Sequence, residues 1–288
     1  FKFVKPSFAF DINFMKDIVV NAFPFGLSVV FGSVYFYIDS VMISKMRGNL
    51  EVANYGAAYN LVIALLFIPS IYTTAIYPVM SRYFKKNDET LKFIYKKSIK
   101  YLYIIGLPIS FGIFLLADKM ILTLYGANYK ASALALKIVA WFVFIKFVNF
   151  LLGTTLSSID KQKYRMYAQG STALFNIALN LILIYYYGFI GAAISTLITE
   201  IFLFFIYYYY ASKHLYYHKL LPEIPKPLIA SLVMAAFIVY VDLNIAATIL
   251  LSALIYFFIV LLLRTFDKSD VNLLLKIVKN ESIQQSKI

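Results

Sequence analysis

Long uncharged runs separated by short charged ones set the pattern of this chain. Residues 18–38 carry no charge, and neither do residues 52–81. Residues 101–117 form a shorter uncharged run that can extend into its flanks, and residues 131–159 are apolar apart from Lys137 and Lys146. Residues 166–212 hold a single charge, Glu200, and are long enough for two crossings with a break at Tyr187-Gly188. Residues 228–241 and 243–263 read as a last hairpin turning near Asp242-Leu243-Asn244, its first arm short. A bilayer core of about 30 Å takes about 20 helical residues to cross. These runs are apolar on every face, whereas a soluble helix keeps a polar one. The pattern predicts an all-α, polytopic membrane protein of about eight transmembrane helices.

Composition supports that reading and removes several function classes. Hydrophobic residues make up 62% of the 288, charged residues 14%, and the mean hydropathy is +0.77; a soluble domain carries about 25% charged residues. The absence of cysteine excludes disulfides and thiolate chemistry, and His214 and His218 are the only histidines. No phosphate-binding glycine loop, metal-ligand spacing or Ser/His/Asp arrangement occurs, so no enzyme is expected and no cofactor beyond a coupling ion, Na+ or H+. The net charge of +13 follows the loops rather than any groove for nucleic acid. Of 27 Lys and Arg residues, 21 lie in one alternating set of connections and four in the other. Basic loops stay on the cytoplasmic side, which puts both termini in the cytoplasm of a multi-pass cell-membrane protein. The charged segment 85–100 reads as a solvated loop and helix start, and residues 269–279 as a weakly amphipathic stretch for the membrane surface. The chain begins with Phe1, and a longer protein of which this is the second half is expected.

Polar groups are costly in hydrocarbon, so their placement carries the functional information. Asn21, Ser28, Gly32, Tyr35 and Asp39 form one stripe of the first span at helical spacing. Lys146, Asn149, Gly153 and Ser157 do so in the fourth, Gln169, Thr172, Asn176 and Asn180 in the fifth, and Thr196 and Glu200 in the sixth. Four such stripes suggest a shared wet interior, although interhelical hydrogen bonding would use the same residues. Lys146 and Glu200 lie near the middle of their spans, where a charge costs about 2.5–3.5 kcal/mol, and each needs a partner or water. Whether the two meet is open at this point. Lys137 falls on the opposite face from Lys146 and near the outer boundary, so it ranks below it; Asp39 also nears that boundary. Pro24, Pro69, Pro78 and Pro108 are expected to kink their spans.

With the spans placed, further motifs come into order. Tyr37-Ile38-Asp39-Ser40 is followed by Tyr55-Gly56-Ala57-Ala58-Tyr59, then Gly106-Leu107-Pro108 and Leu124-Tyr125-Gly126-Ala127-Asn128-Tyr129. Asn176-Ile177-Ala178-Leu179-Asn180-Leu181 and the run from Gly188 to Thr196 complete the series. In this order the chain resembles the C-terminal half of polysaccharide-biosynthesis flippases, the O-antigen-type branch of the multidrug/oligosaccharidyl-lipid/polysaccharide exporter superfamily. The resemblance implies a six-helix lobe over residues 14–212, a cytoplasmic loop over 213–227, an extra hairpin over 228–263 and a cytoplasmic tail over 264–288. It implies a missing N-terminal lobe as partner, a polyprenyl-linked glycan as cargo within the lipid bilayer, and alternating access as mechanism. On that basis Lys146, Asn149, Asn176, Asn180, Glu200 and Asp39 are candidates to line the substrate lumen, with Lys137 weaker. Lys146 would offset the phosphate or pyrophosphate charge, and Glu200 or Asp39 would couple the cycle to an ion. Two other readings are an ion-coupled multidrug or cation antiporter of the same superfamily, and an inactive or scaffolding fragment that needs a first-half partner.

Overall fold

The computed structural model describes residues 11–217, 221–267 and 270, and no strand occurs among them. The helices are α1 (Ile12–Arg47), α2 (Asn49–Leu65), α3 (Phe67–Tyr83), α4 (Asp88–Tyr125), α5 (Ser132–Ser158), α6 (Gln162–His214), α7 (Pro225–Tyr240) and α8 (Ile245–Leu262). Several start where a polar loop residue supplies a cap. The side chains of Asp11, Asn87 and Asn244 accept from the backbone N–H groups of the first turns of α1, α4 and α8, which otherwise lack partners.

Sequence features explain where the helices bend. Pro69 has no N–H to give the Leu65 carbonyl, and the chain leaves helical bonding at Leu66. Thus α2 and α3 form one bent 35-residue span, Asn49–Tyr83. The 53 residues of α6 double back at Gly188 into two arms, α6a (162–187) and α6b (189–214). Phe175 meets Phe202 and Tyr164 meets Tyr210 with tilted rings whose centres are 4.6 Å apart in both pairs, contacts that only an antiparallel hairpin allows. Gly188 turns the chain at φ 57°, ψ −140°, a conformation open essentially to glycine. Three residues on, a Cβ at Gly191 would lie 2.0 Å from the Leu183 carbonyl oxygen, so the arms close tightly only because both positions are bare.

Six described helices are long and apolar enough to cross a membrane, α2–α3 counted once and α6 once, and α7 is a shorter apolar helix of 16 residues. With the arms of α6 taken separately and α7 included, the expected eight crossings are present. The turns at 84–87 and 159–161 and the described residues 215–217 and 221–224 between α6 and α7 then share one end of the bundle, called here the basic end. A Lys85–Asp160 ion pair of 3.3 Å links two of them.

The core follows from the apolar runs. Helix α5 packs on α2, α3, α4 and α6, and its Leu136, Val139, Phe142, Val143, Phe147 and Leu151 are fully buried. The α7–α8 pair packs outside this, on α4, through Met234, Tyr256 and Val260 against Ile104 and Leu116. The Tyr256 hydroxyl donates to the Ile104 carbonyl at 2.6 Å. That carbonyl is the one Pro108 leaves without its helical donor, so the neighbouring helix satisfies the kink.

The charged segment 85–100 opens as the solvated loop and helix start expected, with Lys85 and Lys86 exposed, but its later lysines are not solvated. From Asp88 onward it is the first part of α4, and Lys97 and Lys100 are each only 7% exposed. They are buried because acids from beyond α8 reach them: Lys100 lies 2.5 Å from Asp270, and Lys97 lies 2.6 Å from Asp267 and 2.8 Å from Asp270. Tyr101 adds a hydrogen bond of 2.7 Å to Asp270. Burial pushes the Asp270 carboxyl up, but bonds from Lys100, Lys97, the Asp267 backbone and Tyr101 outweigh it and hold it below its usual value. At the opposite end Lys119 meets Asp242 at 2.6 Å, so α4 holds the α7–α8 pair at both ends. The amphipathic stretch expected at 269–279 lies outside the described residues except for Asp270.

Candidate functional site: a buried polar core across four helices

The four polar stripes converge between α1, α5 and the arms of α6, with α2 closing one side. Asp39, 1% exposed, accepts three side-chain hydrogen bonds. Tyr55 and Thr196 donate to Oδ2 at 2.7 and 2.6 Å, and Asn180 donates to Oδ1 at 2.6 Å. Asn180 also donates to Asn176 at 3.0 Å, and Asn176 reaches Ser195 and Thr199, both at 3.4 Å. Asp39 is therefore an interior residue, and its nearness to the helix end along the sequence does not make it interfacial.

One turn along both helices lies a second carboxylate. Glu200 is fully buried. Its Oε2 accepts from Tyr35 at 2.9 Å and from Lys146 at 3.0 Å, and its Oε1 accepts from Asn149 at 2.7 Å. Asn149 bonds the Glu200 carbonyl as well, at 3.0 Å. Lys146 and Glu200 thus meet, each supplying the partner that a mid-span charge requires. The Lys146 ammonium lies 5.0 Å from the centre of the Tyr35 ring and 5.5 Å from that of Phe142, distances at which an aromatic face stabilises a cation. Lys146 keeps 14% of its side-chain surface exposed where Glu200 keeps none. Of this pair, the cation is the member that a molecule outside the core can reach.

Spacing explains the convergence. Tyr35 and Asp39, Asn176 and Asn180, and Thr196 and Glu200 are each four residues apart, one above the other on a helix face, and Lys146 and Asn149 are three apart. The hairpin at Gly188 brings the α6a and α6b pairs into the same layer. Lys137 stands apart from this core: it pairs with Asp118 of α4 at 2.6 Å and is one-third exposed. Gln169 and Thr172 carry buried side-chain oxygens that have no partner among the described residues, as do Asn149 and Asn180. The Asn21 side chain lies outside the described set. Tyr55, Ser195 and Thr199 belong to the core although no stripe marked them as site residues. Only the alignment of Ser195 and Thr199 with Asn176 across the hairpin could have pointed to them. Among the described residues no group of three or more His, Cys, Asp or Glu side chains is placed to hold a metal ion.

The MatE sequence pattern matches residues 24–182, more than half of the chain and most of the helices that build this core. The chain belongs to the MatE family. Two relatives carry names from the glycan-export branch. The "Probable low-salt glycan biosynthesis flippase Agl15" of Haloferax volcanii is 25% identical over 197 residues, 67% of this chain and 40% of its own length. The "Putative O-antigen transporter" of Shigella dysenteriae is 32% identical over 199 residues, 65% of this chain and 48% of its own. This MatE chain spans less than half the length of either relative. In fold it is similar to the lipid II flippase MurJ in its inward closed conformation, with a TM-score of 0.73 at 17% identity over 91% of this chain and 57% of that one. It is also similar to a MOP superfamily transporter from Pyrococcus furiosus, with a TM-score of 0.59 at 19% identity over 76% of this chain and 52% of that one. The resemblance drawn from the sequence motifs and these similarities agree on the superfamily and on its flippase-named members.

Proposed function

We propose that this chain is the second lobe of a two-lobe transporter that moves a polyprenyl-phosphate- or pyrophosphate-linked oligosaccharide from the inner to the outer leaflet of the cell membrane. In this reading residues 14–212 form the lobe, 228–263 an accessory hairpin, and a separate N-terminal lobe completes the pathway. The basic end faces the cytoplasm, as the bias of 21 against four basic residues favours, and the protein works by alternating access, with no covalent step. The observation that carries the reading is Lys146: a mid-span cation with partial exposure and, among the described residues, a single counter-ion, Glu200. The names of the relatives suggest the cargo class. An arriving phosphate would compete with Glu200 for the ammonium, and Tyr35 and Asn149 would keep the released carboxylate hydrogen-bonded. Charge would be exchanged within the site rather than exposed to hydrocarbon, which keeps the barrier low. Glu200 and Asp39 are also where a coupling Na+ or H+ would act: Asp39 is a buried carboxylate held by neutral donors alone, and Glu200 becomes one when Lys146 turns to the cargo.

The test is flipping of a fluorescent polyprenyl-pyrophosphate sugar in proteoliposomes by the two-lobe protein, compared with Lys146→Ala and with Lys137→Ala. Loss of flipping in Lys146→Ala alone, with the helical content kept, is the expected result. An antiporter would instead leave the sugar lipid in place and move cationic dyes on an ion gradient, with Asp39 and Glu200 as its binding acids.

A further inference from the structure

Outside the polar core, the two arms of α6 enclose a groove of about 550 Å³ lined by Tyr167 and Ser171 on α6a and by Phe202, Phe205, Ile206 and Tyr209 on α6b. The volume falls in the range of small-molecule sites, which are apolar with a few polar groups placed to orient the ligand. The groove lies on the outer side of the arms. Tyr209 is nine residues from Glu200, which puts it on the opposite face of α6b and about 13 Å along the helix. It runs from within the membrane to the basic end, and its mouth is cationic. The Lys213 ammonium stands 5.9 Å from the centre of the Tyr209 ring and has no acidic partner among the described residues. His214 follows it on α6, its ring tilted against that of Tyr164 with centres 4.6 Å apart.

We propose that this groove holds one resident anionic phospholipid, an acyl chain lying along Phe202, Phe205 and Ile206 and the phosphate at Lys213. Charge complementarity selects the occupant. An apolar trough at membrane depth suits a hydrocarbon chain, and an unpaired lysine beside an aromatic ring at the membrane boundary suits a phosphate headgroup. The polyprenyl chain of the cargo is the poorer fit, because a phosphate on Lys146 would have its tail on the other side of α6b.

The test uses the 288-residue chain carrying W141F, which removes the one native tryptophan, and F205W as reporter. The chain is placed in phosphatidylcholine vesicles containing either dibrominated phosphatidylglycerol or dibrominated phosphatidylcholine. The F205W indole is expected to be quenched at about fivefold lower mole fraction of the brominated phosphatidylglycerol, the preference that one lysine near the surface confers. Lys213→Ala should abolish that preference, and Lys213→Arg should retain it, which separates loss of the charge from misfolding. Equal quenching by the two brominated lipids, or a preference that survives Lys213→Ala, would overturn the proposal. So would relief of quenching by stoichiometric polyprenyl pyrophosphate, which would give the groove to the cargo. Because the readout is lipid selectivity at the arms of α6, it stands or falls independently of whether Lys146 binds cargo.

Discussion

Glu200 shows how a buried charge is made tolerable one donor at a time: an ammonium, a phenol and an amide each take a lone pair of one carboxylate. Removing only Lys146 leaves that carboxylate with neutral donors alone, a change that costs about 3–5 kcal/mol at a buried pair. Lys146→Ala should therefore lower the unfolding free energy of the detergent-solubilised chain by that order. Lys146→Ala combined with Glu200→Gln should recover most of the loss, because neither charge then remains unpaired. Additive losses in this double-mutant cycle would mean that the two residues do not stabilise one another. This pair was half legible in the sequence. The depth of both charges in their spans marked them, and the regular spacing of Asp39, Asn176 and Asn180 marked their neighbours. Tyr55 was legible only as part of the Tyr55–Tyr59 motif; that its hydroxyl bonds Asp39 cannot be read until α2 is packed against α1.

At the scale of elements, helices are shaped by the groups that their prolines and glycines leave unsatisfied or uncovered. The Ile104 carbonyl, freed by Pro108, takes its donor from Tyr256 of α8. Tyr256→Phe should cost about 1–3 kcal/mol, the penalty for a buried acceptor without a partner. The same change in a Pro108→Ala background should cost less, because residue 108 then offers its own N–H; thermal unfolding of the four variants checks this. The hairpin in α6 was legible, because an apolar run with one charge, Glu200, twice the length of a crossing and with a glycine near its middle has few other ways to fold. What holds its turn was not. Arg47 donates to the carbonyls of Ile184 and Tyr185, where α6a ends, and Glu51 accepts from the Phe189 N–H, where α6b begins, at 2.9 Å. Each charge matches the sign of the helix end that it caps, but both come from the α1–α2 junction, more than 130 residues away in sequence. Separation along the chain likewise hid the Asp267–Asp270 cluster, which buries Lys97 and Lys100 at the end of a stretch whose start is solvated as read. A lysine-rich stretch looks identical on paper whether or not acids from a distant segment arrive to bury it.

For the whole molecule, the serpentine path fixes which connections lie together, and the excess of basic residues says which side they face. The chain has no cysteine, so single substitutions report topology without background. In intact cells, Lys130→Cys should react with a membrane-impermeant maleimide, while Lys86→Cys should react only after permeabilisation; the reverse pattern would turn the bundle over. In the proposed transport cycle Lys146 exchanges Glu200 for the phosphate of a lipid-linked sugar. Equilibrium binding of a fluorescent polyprenyl-pyrophosphate sugar to the two-lobe protein measures that exchange directly. Loss of one hydrogen bond to a charged group should weaken binding about 10- to 100-fold in Lys146→Ala, with Lys137→Ala matching the unmodified protein. Unchanged affinity in Lys146→Ala, in a protein that still folds, would contradict the account.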